Sequence, residues 1–156
     1  MKNERRSVMK KLLASVIGFA GFGVAASAKT TNNSSAEKKV FDIEEDQDVP
    51  LFSGATTFNG LVFIAGKGAH VAPIEIKAHT EIVLKELEKG LKAAGSSLEK
   101  VLKVNVYLND IADYKGMNEV YKGRFGKKPP VRTTVAVAKG GVPGDSLVEM
   151  DCIAYT

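Results

Sequence analysis

The sequence predicts an α+β layer sandwich in which one mixed sheet is covered on a single face by two helices. Three observations support this fold class. Apolar residues switch along the chain between the two-residue period of strands and the 3.6-residue period of helices. The predicted order is strand, strand, helix, strand, helix, strand, strand, which suits two packed layers. The chain has 156 residues, 44% of them hydrophobic, which is enough to bury one core of ordinary size.

The first half of the domain contains a hairpin and a long helix. Two short strands, Thr56–Phe58 and Leu61–Ala65, are separated by Asn59-Gly60, the preferred pair for a type I′ turn. The following helix is predicted to open at Pro73, run to about Ala94 and close at Gly95.

The second half contributes three strands and a shorter helix. The strands are predicted over Val101–Leu108, Arg132–Ala138 and Leu147–Ala154, and the helix from about Ala112 to Phe125. Alternation along each strand separates a core-facing set from an opposite set. The core-facing set is predicted to be Val104, Val106 and Leu108, then Thr133, Val135 and Val137, then Val148, Met150, Cys152 and Ala154. The opposite set mixes polar groups with apolar side chains, which suits burial against another subunit.

Residues 1–28 have the organisation of an export signal. A basic segment precedes an apolar run, Leu12–Val24, which is too short to span a bilayer, and Ala26-Ser27-Ala28 supplies small residues for cleavage. Arg5-Arg6 and the residues after it resemble a twin-arginine signature. These features predict an exported, periplasmic protein with no membrane attachment once the signal is removed. The alternative is a basic, unstructured N-terminus on a cytoplasmic protein.

Residues 29–49 are predicted to be a flexible linker leading into the domain, and residues 50–156 the domain itself. The linker begins with Ser, Thr, Asn and Lys, and the acidic stretch Asp42–Asp48 is interpreted as a solvated segment. The net charge of +4 belongs to the first 28 residues, so the remaining chain has 17 basic and 17 acidic residues. A neutral domain without a basic cluster argues against nucleic acid as a partner.

Few residues suit a metal or a bound cofactor, so none is predicted. The chain has one cysteine, Cys152, and two histidines, His70 and His79, which excludes multi-cysteine metal sites. Cys152 is interpreted as an inert core thiol, and His79 as a polar helix residue. The segment Gly66-Lys67-Gly68 falls well short of a phosphate-binding loop.

Arg132 is the first candidate for chemistry. After residue 28 the chain uses arginine only at Arg124 and Arg132, and the guanidinium group pairs bidentately with carboxylates. Glu149 has the same relative orientation on a later strand, so the two side chains are predicted to face one cavity. The alternative is a structural Arg132–Glu149 salt bridge between neighbouring strands.

Several stretches together resemble the reactive intermediate/imine deaminase family (RidA/YjgF). They are Leu91–Leu98, Val101–Leu108, Met117–Tyr121, Arg132–Ala138, Val142-Pro143 and Leu147–Ala154. The resemblance extends from about Pro50 to Ala154. It implies a chorismate-mutase-like fold that assembles as a homotrimer around a central barrel, with clefts between subunits. It also implies hydrolysis of enamines and imines, such as 2-aminoacrylate and 2-iminobutanoate, to 2-keto acids and ammonia without a cofactor.

The resemblance assigns roles to particular residues. It implies that Arg132 grips the carboxylate of the small-molecule substrate and that Glu149 positions or activates water. It places Asn118 and Tyr114 near the cleft and brings the backbone of Gly66 close to the ligand.

Four departures from the family pattern bear on substrate choice more than on the type of reaction, and one of them is the longer turn at Gly140-Gly141 between the last two strands. Phe52 stands at a substrate-binding position where the family frequently has an aromatic hydroxyl, Ala65 replaces a small hydroxyl residue, and Lys67 replaces a glutamine. An alternative function is a binding module that holds a small carboxylate or keto acid without turnover. A nuclease activity, attributed to some relatives, fits poorly with the neutral domain.

Overall fold

In the computed structural model, which describes residues 37–156, six β-strands and two α-helices follow one another. The elements are β1 (Lys39–Asp46), β2 (Val49–Phe58), β3 (Leu61–Lys67), α1 (Ile76–Ala93), β4 (Val101–Leu108), α2 (Tyr114–Tyr121), β5 (Val131–Ala136) and β6 (Val148–Tyr155). The predicted export signal lies outside the described residues and stays a prediction. Within residues 37–156, no helix is long and apolar enough to cross a membrane.

All six strands form one mixed sheet in the order β1-β2-β3-β6-β4-β5. Neighbouring strands are antiparallel except β4 and β5, which run parallel. The parallel pair follows from the chain path, because α2 carries the chain back between the two strands. The predicted α+β fold with one mixed sheet and two helices is confirmed.

The predicted hairpin joins β2 to β3. Phe58 pairs with Leu61, and the two residues between them have positive φ values of 50° at Asn59 and 76° at Gly60. A type I′ turn requires this backbone conformation at both central positions, which is why Asn-Gly identified the turn from sequence.

β1 lies in the segment predicted to be a linker leading into the domain. It pairs along its length with β2, from Lys39 opposite Thr57 to Asp46 opposite Val49. Most of its side chains are exposed, and Phe41 is the one that packs against the core. As the outermost strand it can carry many acidic residues, because charge on an edge strand discourages pairing with other chains. The ordered sheet therefore begins before Pro50.

Both helices are shorter than their sequence patterns predict. α1 starts at Ile76 instead of Pro73, because the Glu75 N–H donates to the Pro73 carbonyl at 2.9 Å in a turn before the helix. α2 has eight residues instead of the predicted stretch from Ala112 to Phe125. The residues before it, Ile111–Asp113, form a separate 3₁₀ turn.

The core lies between the helices and one face of the sheet. Leu84, Leu87 and Leu91 of α1 are fully buried, and Met117 of α2 belongs to the same cluster. Full burial of a side chain of this size contributes about 1.5–3 kcal/mol to the free energy of unfolding. Cys152 is also buried in this cluster, and its burial raises the pKa of the thiol to about 12. The interpretation of Cys152 as an inert core residue agrees with this environment.

His79 is buried in α1 with both ring nitrogens occupied. The Leu147 N–H donates to Nδ1 at 3.1 Å, so Nε2 is left to donate to the Val71 carbonyl at 3.1 Å. These two bonds connect the loop after β3 to the segment before β6. His79 is therefore a satisfied structural residue, as its helical position suggested.

Strand register defines the two faces of the sheet. Across β3, β6, β4 and β5, one row on the helix-covered face is Ile64, Cys152, Val104 and Arg132. The corresponding row on the other side, here called the open face, is Phe63, Ile153, Lys103 and Val131. The predicted core-facing sets of β4 and β6 are confirmed.

The predicted facing of β5 is wrong. Thr133 pairs with Asn105 and Val135 with Tyr107, so both lie on the open face. Arg132, Thr134 and Ala136 lie on the helix-covered face instead. The sequence of β5 carries small or β-branched residues on both sides, so alternation gives no amphipathic contrast. Its pairing with β4 alone decides which side faces the helices.

Candidate functional site

Arg132 is held by three side chains of α2. Its Nη1 donates to Asn118 Oδ1 at 2.8 Å, and its Nη2 donates to the Tyr114 hydroxyl oxygen at 3.2 Å. The guanidinium carbon lies 4.6 Å from the centre of the Tyr121 ring and 5.8 Å from that of Tyr114. We call these four residues the arginine group.

Helical spacing explains this arrangement. Tyr114, Asn118 and Tyr121 stand at positions i, i+4 and i+7, so they share one face of α2. α2 lies over the helix-covered face, where the register of β5 also places Arg132. A cation stacked on an aromatic ring gains about 0.5–2 kcal/mol, and the stacking fixes the plane of the guanidinium.

The charge of Arg132 has no carboxylate partner within residues 37–156. Its hydrogen-bond acceptors are the neutral amide of Asn118 and the neutral hydroxyl of Tyr114. By contrast, Arg124 forms an ion pair with Glu81. An oriented guanidinium with neutral neighbours retains donors for an external anion, and a planar carboxylate matches its geometry.

Below Arg132, Tyr121 is only 9% exposed and packs against Phe125, with ring centres 4.9 Å apart. Burial raises the pKa of Tyr121 to about 12, although the nearby charge of Arg132 lowers it. Its hydroxyl has no hydrogen-bond partner in the described part of the chain. Tyr121 therefore contributes its ring face to Arg132 and remains neutral.

A second group forms around Glu149 on the open face. The Glu149 carboxylate lies against the backbone of Gly66, where a Cβ atom would overlap it. Glycine at position 66 permits this close approach, and a larger residue there would displace the Glu149 carboxylate. Glu149 also lines a cavity of about 120 Å³ together with Tyr107, Val137, Gly141, Val142 and Pro143. We call Gly66, Glu149 and Tyr107 the glutamate group.

The prediction that Arg132 and Glu149 face one cavity is wrong for a single chain. Arg132 shares a row with Val104 on the helix-covered face, whereas Glu149 pairs with Tyr107 on the open face. β4 also separates their two strands in the sheet. The predicted alternative, a structural salt bridge between neighbouring strands, is excluded by the same register. One small molecule can contact both groups only if two chains supply them.

The remaining positions predicted from sequence are placed as follows. Phe52 lies on β2 opposite Glu44, as an apolar side chain that is 54% exposed. Lys67 follows the irregularity at the end of β3 and lines a surface depression with residues of β1 and α1. His70 is exposed and lies close to Gly68 and Gly144 in neighbouring loops. The structure thus joins Tyr114 and Asn118 to Arg132, joins Gly66 to Glu149, and leaves Phe52 as a separate exposed side chain.

The sequence analysis did not predict that Tyr121 contacts Arg132 or that Tyr107 lies beside Glu149. Helical spacing from Tyr114 and Asn118 was the available signal for Tyr121. Tyr107 could be assigned only from the pairing of β4 with β6, which depends on the fold. Within residues 37–156, no three His, Cys, Asp or Glu side chains lie close enough together to hold a metal ion.

The fold, together with the arginine and glutamate groups, defines a class of small α+β proteins. Comparisons with known proteins show which family of this class the chain belongs to. The profile of the family described as Endoribonuclease L-PSP matches residues 47–156. The chain belongs to this family, which is also called the YjgF/RidA family.

Similar curated proteins cover most of the domain. A mitochondrial protein of Schizosaccharomyces pombe named mmf2 is 40% identical over 110 residues, covering 66% of this chain and 86% of its own length. A chloroplast protein of Arabidopsis thaliana named Reactive Intermediate Deaminase A is 32% identical over 168 aligned positions, covering 96% of this chain and 88% of its own length.

Solved structures support the same family. A YjgF-family protein of Neisseria meningitidis superposes with a TM-score of 0.68 at 26% identity, covering 77% of this chain and 95% of the other. A YjgF/YER057c/UK114-family protein of Mycobacterium tuberculosis gives a TM-score of 0.67 at 27% identity, covering 77% and 100%. These matches include the sheet and both helices that position the arginine and glutamate groups.

Proposed function

We propose that the protein hydrolyses enamines and imines that carry a carboxylate, releasing a 2-keto acid and ammonia. The observation that supports this most directly is Arg132, whose oriented guanidinium has no anionic partner in the described chain. Such a group suits the carboxylate of a 2-aminoacrylate or a 2-iminobutanoate. The name of the Arabidopsis relative, Reactive Intermediate Deaminase A, is consistent with this reaction.

The proposed reaction needs binding and proton transfer. Protonation of the enamine carbon gives a protonated imine, water adds to its carbon, and the resulting carbinolamine expels ammonia. Arg132 holds the carboxylate and withdraws electron density from the adjacent carbon. Glu149 accepts a proton from the attacking water, and positioned proton transfer of this kind contributes about 10²–10⁴ in rate.

The positions of the two groups favour a cleft between subunits. Because the sheet separates Arg132 from Glu149 in one chain, we propose that the arginine group of one subunit meets the glutamate group of another. A closed ring of identical chains repeats this contact at every interface. The family resemblance implies three subunits, so we propose a homotrimer with three equivalent sites.

The open face has the side chains that such an assembly would bury. Phe63 is 39% exposed, Val131 69% and Val135 44%, and the half-buried Ile153 pairs with Phe63 in the same row. Each such side chain that becomes fully buried contributes about 1.5–3 kcal/mol to association.

Light scattering is expected to give about three times the chain mass of 16.7 kDa. A stable monomer at micromolar concentration would contradict both the trimer and the cleft between subunits.

The proposed activity is tested with 2-aminoacrylate, an unstable substrate that is generated enzymatically in the assay mixture. The purified protein is added to an enzyme that generates 2-aminoacrylate, and ammonia release is followed against the spontaneous rate. A clear acceleration supports the deaminase. The alternative binding module predicts saturable binding of a stable 2-keto acid, measured by calorimetry, without any acceleration.

A further inference from the structure

The cavity beside Glu149 contains two polar side chains. Tyr107 and Glu149 are direct partners on β4 and β6, and both line the cavity of about 120 Å³. Valine and proline side chains supply much of the remaining wall. The Gly141 N–H in that wall already donates to the Ala138 carbonyl at 2.7 Å. The side chains that can hydrogen-bond a ligand here are therefore the Tyr107 hydroxyl and the Glu149 carboxylate.

The proton of the Tyr107 hydroxyl is already engaged. It is donated to Asp151 Oδ2 at 3.0 Å, and Asp151 Oδ1 accepts a hydrogen bond from Asn105 Nδ2 at 2.8 Å. A phenol has one O–H proton, so the Tyr107 oxygen can act only as an acceptor toward a further group. Burial, the bond to Asp151 and the nearby carboxylates raise the pKa of Tyr107, which keeps the hydroxyl protonated at neutral pH.

We propose that Tyr107 and Glu149 form the subsite for the substrate nitrogen, with Tyr107 accepting a hydrogen bond from the N–H of the imine and of the carbinolamine. A pair that offers only acceptors selects an N–H donor and disfavours a carbonyl oxygen in the same place. Water occupies about 30 Å³ in the liquid, so the cavity can hold the amino end of a substrate and a water molecule. This inference rests on the proposed deaminase function.

The proton balance agrees with these positions. The water oxygen bonds to the carbon of the protonated imine while Glu149 takes one water proton, which gives a neutral carbinolamine with an NH₂ group. Glu149 then returns that proton to the nitrogen, and the C–N bond breaks with its electron pair leaving on ammonia. The carbinolamine oxygen passes its remaining proton to the Glu149 carboxylate as the carbonyl forms. Tyr107 donates no proton in this sequence; it holds the nitrogen beside the carboxylate that protonates it.

Asp151 and Asn105 act as positioning residues. An asparagine at position 151 can direct its amide N–H toward the Tyr107 oxygen. The Tyr107 proton would then be free to turn into the cavity, where it would meet the N–H of the substrate as a second donor. Asp151→Asn is therefore expected to impair the same step as loss of the hydroxyl.

The test compares Tyr107→Phe, Asp151→Asn and the double variant with wild type. Tyr107→Phe is expected to lower kcat about 10- to 100-fold, the range for a hydrogen bond to a charged group, while KM stays nearly constant because Arg132 is intact. Asp151→Asn should fall in the same range. The double variant should be no worse than Tyr107→Phe alone, because Asp151 acts through Tyr107.

Tyr155→Phe is the matched control, since Tyr155 is an exposed tyrosine in β6. It should keep the wild-type kcat, and all variants should keep the wild-type mass and melting temperature. A wild-type kcat in Tyr107→Phe would overturn the subsite, and additive losses in the double variant would overturn the role of Asp151. If the wild-type protein releases no ammonia, the proposed function and the subsite fall together. If it is active and Tyr107→Phe is equally active, only the subsite falls.

Discussion

Arg132→Ala is expected to remove nearly all of the proposed deaminase activity while leaving the proposed trimer folded. The substitution deletes the group that would pair with the substrate carboxylate in a desolvated cleft. Loss of such a pair costs about 3–5 kcal/mol of transition-state binding, which lowers kcat/KM by about 10²–10⁴-fold. The loss of folding stability should be small, about 0.5–2 kcal/mol from the stacking on Tyr121, because the hydrogen-bond acceptors Asn118 and Tyr114 are neutral.

Arg132→Lys sharpens this test. Lysine keeps the positive charge but loses the planar, forked donor geometry and the flat surface that stacks on Tyr121, so it should recover little activity. Arg124→Ala is the matched control, because Arg124, in the turn after α2, forms an ion pair with Glu81 of α1. It should affect melting temperature more than activity. Ammonia release, melting temperature and mass are measured for all three variants. Full activity in a folded, trimeric Arg132→Ala protein would exclude the proposed mechanism.

Elements with strong local chemistry could be predicted from the sequence. The hairpin follows from Asn59-Gly60, whose residues adopt positive φ readily. β4 occupies the predicted residues Val101–Leu108, because its alternation of buried and polar side chains is clear. The buried leucines of α1 recur at helical spacing, which identified the helix even though its start was placed too early.

Strands whose position depends on pairing with a neighbouring strand could not be predicted in the same way. β1 is rich in acidic residues and resembles a solvated segment, yet it pairs with β2 through backbone groups that the side chains do not reveal. β5 is similar on both sides, so only its register with β4 shows that Arg132 lies on the helix-covered face. For this reason, the prediction that Arg132 and Glu149 face one cavity was wrong for a single chain.

The site residues themselves were easier to predict than their arrangement. Arg132 was identified because arginine is rare in the domain, and Glu149 because strand alternation predicted the same orientation for its side chain. Neither observation predicts the order of the strands in the sheet, in which β4 lies between β5 and β6. The two residues lie on opposite faces of one chain, so a site that uses both needs the cleft between subunits that the family resemblance implies.

The placement of Glu149 on the open face, apart from Arg132, leads to a second large expected effect. Glu149→Gln keeps the shape of the side chain but removes the proton acceptor, so kcat is expected to fall about 10²–10⁴-fold. Gly66 should still accommodate the side chain, because glutamine has nearly the same volume. The trimer and its melting temperature should therefore be retained, and the variant by itself should release ammonia close to the spontaneous rate.

Mixed trimers of Glu149→Gln and Arg132→Ala should recover activity that neither variant has alone. When the two chains are co-expressed and assemble at random, a cleft is intact if one chain supplies Arg132 and its neighbour supplies Glu149. This holds for about one quarter of the clefts in a closed ring, so about one quarter of the wild-type rate is expected. Co-expression of Arg132→Ala with Arg132→Lys is the control and should recover little, because both changes affect the arginine group. Mixed trimers without recovered activity would show that the two groups do not meet between subunits.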